Sequence, residues 1–337
     1  MTPILSVRGL HKTFVGRGNA VGLNRPRVRA VDGVDLDLHE GETLGIVGES
    51  GSGKSTLGRC VLRLLKPEAG SVRFDGQELT TLKGRPLRRV RKNMQMVFQD
   101  PYSSLDPRLT IGDLLAEPLR LHFRMSRRER EARVLELLES VGLGSERYVR
   151  RYPSEFSGGQ RQRISIARAL AVQPRLIVCD EAVSALDVST QAEIINLLKN
   201  IQRDTGVAYL FISHDLSVVR HISDRIAVMY LGRIVETGPA ELVHDEPRHP
   251  YSEALVSAVL VPDPATQRNR PRIVLTGDVP DPADPPTGCH FHPRCRYAID
   301  ICRTTPPPTV EVRAGQTAVC HLATDATRAP TTAKASS

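Results

Sequence analysis

Residues 48–55 match the pattern G-x-x-x-x-G-K-S/T, and this segment constrains the fold of the chain more than any other feature. It follows the apolar run Thr43–Val47 and precedes a helical pattern over residues 53–65, which is the strand–loop–helix context that such a loop requires. Glycines let the backbone curl so that successive N–H groups point at phosphate oxygens. Lys54 would then bridge two phosphates, and the Ser55 hydroxyl would ligate Mg²⁺. A plain glycine-rich turn is the alternative, and the flanking elements argue against it.

Short apolar runs alternate with longer amphipathic stretches up to about residue 230. Such runs are typical of strands buried on both faces of a parallel sheet covered by helices, so the predicted fold class is α/β. The runs are Thr43–Val47 and residues 95–98, 176–179, 208–212 and 226–229. Helical patterns occupy residues 53–65, 160–172 and 191–202.

A stretch without strand signals interrupts this alternation. Residues 107–172 carry helical patterns only, and Ser126 with Glu129 forms a predicted capping box at the start of one helix. We therefore expect an α-helical subdomain over about residues 100–172, inserted into the α/β core.

The composition changes after about residue 250. Twelve of the 24 prolines lie in residues 261–337, a density that argues against a regular helical or sheet layer. Residues 327–337 are small and polar and are predicted to form a disordered tail. The predicted organisation is an α/β domain over residues 1–250, an irregular Cys/Pro-rich extension over residues 251–326, and the tail.

The overall composition excludes several classes of protein. With 337 residues, 40% of them apolar, disorder is not expected as the dominant state. There is no signal-peptide pattern and no apolar run of about 18 residues, so we expect a cytosolic protein that spans no membrane. The net charge of +8 indicates an anionic partner or an inert basic surface. Aromatic residues make up only 4%, which argues against a stacking platform for single-stranded nucleic acid.

Two acids, Asp180 and Glu181, end the apolar run at residues 176–179. At the carboxyl end of a strand beside the phosphate loop, Asp180 would help to organise Mg²⁺ and Glu181 would polarise a water for in-line attack. Acids also follow strands for structural reasons alone, so this pattern indicates a catalytic site only in combination with the phosphate loop.

A second phosphate-type turn, Ser157-Gly158-Gly159-Gln160, follows Phe156 at the start of a helical pattern. Backbone N–H groups and a hydroxyl at a helix N-terminus can bind an anion, although an ordinary N-cap has the same sequence. Two such termini in one chain are explained if a nucleotide is shared between two subunits.

The order of these motifs resembles that of the nucleotide-binding subunit of ABC transporters, which implies a P-loop NTPase core of the ABC ATPase type. The matches, over about residues 5–235, are the Walker A loop (48–55), the Q-loop (Gln99), the signature (157–160), Walker B (176–181), the D-loop (184–187) and the switch histidine (His214). Phe156 departs from the Leu that commonly precedes the signature, and this change leaves the phosphate-binding residues intact.

The resemblance implies two subunits arranged head-to-tail, with each ATP and its Mg²⁺ held between one chain's Walker A loop and the other chain's signature. Glu181 would be the general base, His214 would contact the γ-phosphate, and Gln99 would sense Mg²⁺ or the attacking water. Asp187 would report across the interface. Phe14 would stack on the adenine, although a Gly/Arg-rich insertion at residues 15–29 could displace it. The implied nucleotide contacts are Phe14, Gly48, Ser50, Gly51, Ser52, Gly53, Lys54, Ser55, Thr56, Ser157, Gly158, Gly159, Gln160 and Asp187, and the implied magnesium ligands are Ser55, Gln99 and Asp180.

Residues 99–108 and 180–189 narrow the resemblance to the oligopeptide, dipeptide and nickel uptake branch, and residues 249–251 and 285–295 resemble that branch's C-terminal extension. The implied function is ATP hydrolysis that powers di- or oligopeptide uptake, with nickel or glutathione uptake as alternatives. The implied partners are a second ATPase subunit in a paralogous heterodimer, two transmembrane permeases and an extracytoplasmic peptide-binding protein, with no nucleic acid. The implied location is the cytoplasmic side of the inner membrane.

Two functions of other classes stay open. One is a soluble ABC ATPase of DNA repair or translation, although such proteins usually carry a long coiled coil or two cassettes, and neither is present in the sequence. The other is a regulatory module in which the Cys segment senses redox state or metal.

Four of the six cysteines fall in the last fifth of the chain. Their spacing, C-x5-C-x6-C-x17-C, matches no common zinc-ribbon or ferredoxin pattern, yet thiols among Pro-rich loops suit a metal-stapled module. Some dipeptide-type members of the branch hold a 4Fe-4S cluster at four such cysteines, so the resemblance implies a cluster here. Zinc, mixed ligation with His290, His292 or His321, and unmetallated thiols stay open. The implied cluster ligands are Cys289, Cys295, Cys302 and Cys320.

Overall fold

The computed structural model of the protein describes residues 2–16, 27–100, 104–259 and 272–324. The strands are β1 Leu5–Val15, β2 Arg27–Leu38, β3 Thr43–Val47, β4 Ala69–Phe74, β5 Gln77–Glu78, β6 Met94–Val97, β7 Leu176–Asp180, β8 Ala208–Ser213, β9 Arg225–Tyr230, β10 Arg233–Pro239, β11 Thr309–Arg313 and β12 Gln316–Val319. The α-helices are α1 Lys54–Val61, α2 Gly84–Arg91, α3 Ile111–His122, α4 Arg127–Ser140, α5 Gly158–Leu170, α6 Val188–Thr205, α7 Leu216–Ile222, α8 Ala240–Asp245, α9 Pro250–Ala258 and α10 Ile301–Thr304.

The main sheet has the strand order β11-β12-β10-β9-β3-β8-β7-β6. Strands β9, β3, β8, β7 and β6 are parallel, and β3 lies between β8 and β9. Every residue of β3, β7 and β8 is buried, which is why these strands show continuous apolar runs instead of alternation. The predicted α/β class is confirmed, and the predicted strand Thr43–Val47 matches β3 to the residue.

Both faces of this sheet are covered, and the two faces have different coverings. Ile177 and Cys179 contribute to a core shared with the helices, whereas Leu176 and Val178 contribute to a core shared with a second sheet. The second sheet is antiparallel, in the order β2-β1-β4-β5. Helix α1 contacts β1 and β2 of this sheet as well as β7 and β8 of the main sheet. The residues before α1 are therefore fixed between two sheets.

The predicted insertion at residues 15–29 falls partly on β1 and β2. These two strands pair from Leu5↔Leu38 to Val15↔Arg27. Residues 17–26, which carry most of the insertion, lie outside the described residues.

The predicted helical insert consists of α3, α4 and α5 with two short 3-10 helices, and the described part of residues 104–172 contains no strand. The capping box predicted at Ser126 is confirmed, because its side chain accepts from the Glu129 N–H and the Glu129 carboxylate accepts from the Ser126 N–H. Leu138, Phe156 and Ile164 bury the apolar faces of this insert in one core with the main sheet.

The C-terminal extension differs from the irregular segment that its proline content predicts. Strands β11 and β12 form a hairpin, and β12 pairs with β10, so the extension adds two strands to the main sheet. Pro306, Pro307 and Pro308 immediately precede β11 and interrupt no strand. Proline density across a window could not reveal this, because the positions of the prolines decide whether a ladder can form. The predicted tail at residues 327–337 lies outside the described residues.

Candidate functional site

The phosphate-binding loop follows β3 and is shaped by two glycines that tolerate no side chain. A Cβ on Gly48 would lie 2.1 Å from the Met229 carbonyl oxygen, and a Cβ on Gly53 would lie 1.9 Å from the Ala30 carbonyl oxygen. Gly53 also has φ of 104°, a backbone conformation that glycine adopts readily. Ser50 and Gly51 are exposed at the tip of the loop, and Thr56 is half-buried in the first turn of α1. The loop is therefore held closely against β2 and β9.

Lys54 is buried at the base of this loop, and its Nζ donates to the carbonyl oxygens of Gly48, at 2.8 Å, and Glu49, at 2.9 Å. Burial lowers the pKa of Lys54, while the carboxylates of Glu181, Asp180 and Glu49 act in the opposite direction. Within the described residues, the buried Ser52 hydroxyl has no hydrogen-bond partner. A cation, an unpartnered hydroxyl and a curled backbone at a helix N-terminus fit the phosphates of a nucleotide.

Ser55 and Asp180 meet directly, with the Ser55 hydroxyl donating to Asp180 Oδ1 at 2.6 Å. Burial raises the pKa of Asp180, although the Ser55 hydrogen bond and Arg59, 3.8 Å away, lower it. A hydroxyl and a carboxylate beside a phosphate site are the oxygen ligands that Mg²⁺ prefers. The pair therefore fits a magnesium ion that accompanies a nucleotide.

Glu181 stands at the centre of the predicted catalytic group. Gln99 Nε2 donates to Glu181 Oε2 at 2.9 Å, and His214 Nδ1 lies 3.4 Å from the same oxygen. Glu181 has φ of 50°, which is uncommon for a non-glycine residue, and its N–H donates to the Ile212 carbonyl oxygen at 2.9 Å. The ends of three strands, β6, β7 and β8, thus bring Gln99, Glu181 and His214 together.

The signature turn forms a second helix N-terminus. The Ser157 hydroxyl accepts from the Gln160 N–H at 3.3 Å, and the Gln160 side chain accepts from the Ser157 N–H at 3.0 Å, so the two residues form a capping box. Gly158 lies against Leu186, and a Cβ on Gly159 would lie 2.4 Å from Thr190 Cγ2. This turn therefore packs on the start of α6.

Asp187 caps helix α6 and so completes the surface next to the signature turn. Its carboxylate accepts from the Thr190 N–H at 2.9 Å and from the Thr190 hydroxyl at 2.7 Å. Hydrogen bonds from Ser189 and Thr190 lower its pKa. These contacts fix the side chain of Thr190, against which Gly159 packs.

Phe14, the predicted adenine contact, lies on β1, paired with Val28 of β2. Phe14 is 41% exposed, and the Lys12 ammonium lies 5.4 Å from the centroid of its ring. The ring is thus accessible to a planar ligand.

The four C-terminal cysteines do not form the predicted cluster site. Among the described residues, no group of three or more His, Cys, Asp or Glu side chains is placed to hold a metal ion. None of the six cysteines forms a disulfide, and burial raises the pKa of Cys289 to about 11. The Cys289 N–H donates instead to the Cys302 carbonyl oxygen at 2.8 Å, which closes the segment between them. The residues present therefore do not fit a 4Fe-4S cluster.

The sequence patterns missed one set of contacts to the phosphate loop. Glu49, a variable position of the motif, contacts Arg294 and Tyr251 of the C-terminal region. These residues lie more than 200 positions apart, and nothing in the spacing of either segment connects them.

The fold, the phosphate loop, the Glu181 group and the signature turn together define an ATP-binding cassette. Comparison with protein families agrees, because the ABC transporter family matches residues 31–184. The C-terminal region of oligopeptide/dipeptide transporters matches residues 235–302. The chain belongs to the ATP-binding proteins of the ABC transporter family, in its oligopeptide/dipeptide branch.

Two curated relatives are similar over nearly their whole length. A probable peptide ABC transporter ATP-binding protein, y4tS, of Sinorhizobium fredii is 52% identical over 95% of this chain and 90% of the relative. The oligopeptide transport ATP-binding protein AppF of Bacillus subtilis is 52% identical over 95% of this chain and 97% of the relative.

Solved structures give the same fold. A dimeric bacterial ABC transporter cassette, MJ0796, is similar with a TM-score of 0.62 and 33% identity, over 70% of this chain and 98% of that one. CbiO1 of Clostridium perfringens, part of the transporter complex cbiONQ, has a TM-score of 0.62 and 27% identity over 73% of this chain and 92% of that one.

No helix in the described ranges is long and apolar enough to cross a bilayer.

Proposed function

We propose that this chain is the ATP-hydrolysing subunit of an importer of di- or oligopeptides. The observation that carries the proposal is the convergence of Gln99 and His214 on one carboxylate oxygen of Glu181, beside a phosphate loop. The relatives described as peptide and oligopeptide transport ATP-binding proteins support the class of substrate.

Different residues of the site would bind the phosphates, the Mg²⁺ and the adenine of ATP. The phosphates of ATP would lie against the N–H groups of residues 48–55, where Lys54 exchanges its two carbonyl contacts for phosphate oxygens. Ser55 and Asp180 would hold Mg²⁺, which supplies positive charge at the phosphate oxygens. Phe14 would stack on the adenine.

Glu181 would accept the proton of the attacking water. Gln99 orients its carboxylate through the 2.9 Å hydrogen bond, and His214 would move from Glu181 to the γ-phosphate when ATP is bound. Glu181 follows the buried strand β7 with φ of 50°, and its charge acts on Lys54 of the loop. A carboxylate held in one orientation loses less entropy when it takes the proton.

The complete site would contain two chains. The signature turn offers Ser157 and the N–H groups of Gly158 and Gly159 at a second helix N-terminus, and Asp187 lies beside it. The similarity to a cassette solved as a dimer supports a head-to-tail pair in which this turn covers the partner's ATP. In the proposed importer the partner is a paralogous ATPase subunit.

A cleft next to Gln99 is the proposed contact with a permease. Its volume is about 350 Å³, and its lining includes Leu64, Phe98 and Leu121, whose side chains are exposed. Phe98 precedes Gln99, so a permease segment in this cleft would act on the residue that holds Glu181. The assembly would contain two transmembrane permeases in the inner membrane and an extracytoplasmic peptide-binding protein. This chain would lie on the cytoplasmic side of that membrane, as a peripheral subunit.

Uptake assays in a deletion strain test the proposal. Loss of radiolabelled tripeptide uptake, restored by the wild-type chain and not by Glu181→Gln, would support it. Unchanged peptide uptake with loss of nickel or glutathione uptake would assign a different substrate. Unchanged uptake of all three, with ATPase activity intact in the purified chain, would contradict transport.

A further inference from the structure

The C-terminal extension reaches into the phosphate-binding loop through one ion pair. Arg294 Nη1 donates to Glu49 Oε2 at 2.9 Å, and Arg294 Nη2 donates to Glu49 Oε1 at 3.2 Å. Two parallel bonds between a guanidinium and a carboxylate fix direction as well as distance. The Arg294 side chain is 8% exposed, so solvent screens this pair little.

The backbone of Glu49 is held as firmly as its side chain. Its N–H donates to the Tyr251 hydroxyl at 2.7 Å, and its carbonyl oxygen accepts from Lys54 Nζ at 2.9 Å. Three groups thus fix one loop residue, and two of them, Tyr251 and Arg294, lie near or within the extension.

Arg294 is presented by a rigid support. Phe291, three residues earlier, is 1% exposed and packs edge-on against Tyr230 with ring centroids 5.2 Å apart. Its ring also lies 5.6 Å from that of Tyr251. The short 3-10 helix His292–Arg294 then directs the guanidinium at the loop.

The charge of Glu49 makes this contact important for anion binding. The carboxylate lies close enough to Lys54 to affect the pKa of that lysine, so it also lies close to the proposed phosphate site. An unpaired carboxylate there would repel the phosphates of ATP, and Arg294 neutralises it.

We infer that Arg294 is a positioning residue for ATP: it pairs with the Glu49 carboxylate and holds this charge away from the phosphates. The inference rests on the proposed ATP binding at this loop. It makes the extension a structural part of the nucleotide site.

The test compares Arg294→Gln with Arg296→Gln in the complex of this chain with its partner ATPase subunit. Arg296 is a matched control, since it lies two residues away and pairs with Glu253 at 3.5 Å outside the loop. We expect Arg294→Gln to raise KM for ATP about tenfold, the scale of a lost charge-assisted bond, with kcat changed by less than about twofold. Arg294→Lys keeps the charge but cannot form two parallel bonds to the carboxylate, so it should give an intermediate KM. This variant replaces Arg294→Gln in the comparison if Arg294→Gln does not fold.

The double variant Glu49→Gln/Arg294→Gln separates charge from packing. Removal of both charges should restore most of the wild-type KM, because the repulsive carboxylate is gone. A double variant as impaired as Arg294→Gln, or equal KM values for Arg294→Gln and Arg296→Gln, would overturn the inference. If the wild-type chain and Lys54→Ala bind ATP equally poorly, the proposed function itself fails. ATP binding by the wild type therefore distinguishes a failure of the proposed function from a failure of the inference about Arg294.

Discussion

Gln99 donates a 2.9 Å hydrogen bond to Glu181 although the two residues are 82 positions apart in sequence. The parallel strands β6 and β7 are neighbours, with Val97 paired to Cys179, so the residues that follow them emerge at the same edge of the sheet. The contact connects the cleft beside Phe98 to the proposed catalytic base.

Glu181→Gln should keep ATP binding and lower kcat for ATP hydrolysis by about 10²- to 10⁴-fold, the contribution of a general base. The amide preserves size and most contacts but cannot accept the proton. Turnover is measured by phosphate release and binding by a fluorescent ATP analogue. The exposed Glu241→Gln serves as control, and a turnover of Glu181→Gln equal to that of the control would remove Glu181 from this role.

Lys54→Ala should weaken ATP binding about 10- to 100-fold, because a buried charge-assisted contact to phosphate is lost. Equilibrium titration with ATP measures the change. Lys66→Ala, an exposed lysine beyond helix α1, should bind as the wild type does. Equal affinities of the two variants would contradict the assignment of the phosphate loop.

Gly159→Ala should weaken ATP-dependent pairing with the partner ATPase subunit, because the new methyl group would meet Thr190 Cγ2 at 2.4 Å and so displace the signature turn that covers the partner's ATP. The Thr190 side chain cannot rotate away without breaking the hydrogen bond from its hydroxyl to the Asp187 carboxylate. Overpacking of this kind costs about 1–3 kcal/mol. Adding Thr190→Ser removes the colliding methyl, keeps the hydroxyl and should restore dimerisation, measured by gel filtration in a Glu181→Gln background. Failure of this rescue would show that the close contact is not the cause.

Glu236→Ala should lower the free energy of unfolding by about 3 kcal/mol, because buried donors lose their acceptor. The Glu236 carboxylate accepts from the N–H groups of Arg248 and His249, at 2.9 and 2.8 Å, and from Gln316 Nε2 at 2.9 Å. It thereby joins β10 to the start of α9 and to β12. Urea unfolding measures the loss, and a change near zero would exclude Glu236 as a structural junction.

The raised pKa of Glu236 should make the free energy of unfolding depend on pH. Burial raises the pKa of Glu236 above its ordinary value of 4.5, so the folded state holds this proton more tightly than the unfolded state does. Its contribution to stability is fully present below pH 4.5 and is lost as the pH rises through the raised pKa. The unfolding free energy of the wild type relative to Glu236→Gln should therefore fall as the pH rises from 4.5 toward neutrality. A difference that stays constant or rises would contradict the shift.

Local patterns predicted the cassette and most of its site. Continuous apolar runs predicted β3 and β7 because a doubly covered sheet buries every residue of these strands. Motif spacing placed Asp180 and Glu181 at the end of one strand and Lys54 after the loop that follows another, and the parallel order of these strands brings the three residues together. The cysteines show the limit of such reasoning, because their spacing carries no information on whether four thiols converge, and the described residues place no metal site there.

The sequence by itself determined the α/β class, the phosphate loop and the helical insert, because each depends on short-range periodicity or on fixed spacing. It also predicted the residues that would perform hydrolysis. Only the tertiary structure decided that the Pro-rich extension adds a hairpin to the main sheet and that Arg294 forms an ion pair with Glu49 of the phosphate loop. The physical reason is that strand pairing and burial of an ion pair depend on which distant segments meet. Packing of Phe291 against Tyr230 and Tyr251 brings the extension to the phosphate loop, and no local sequence pattern predicts this contact.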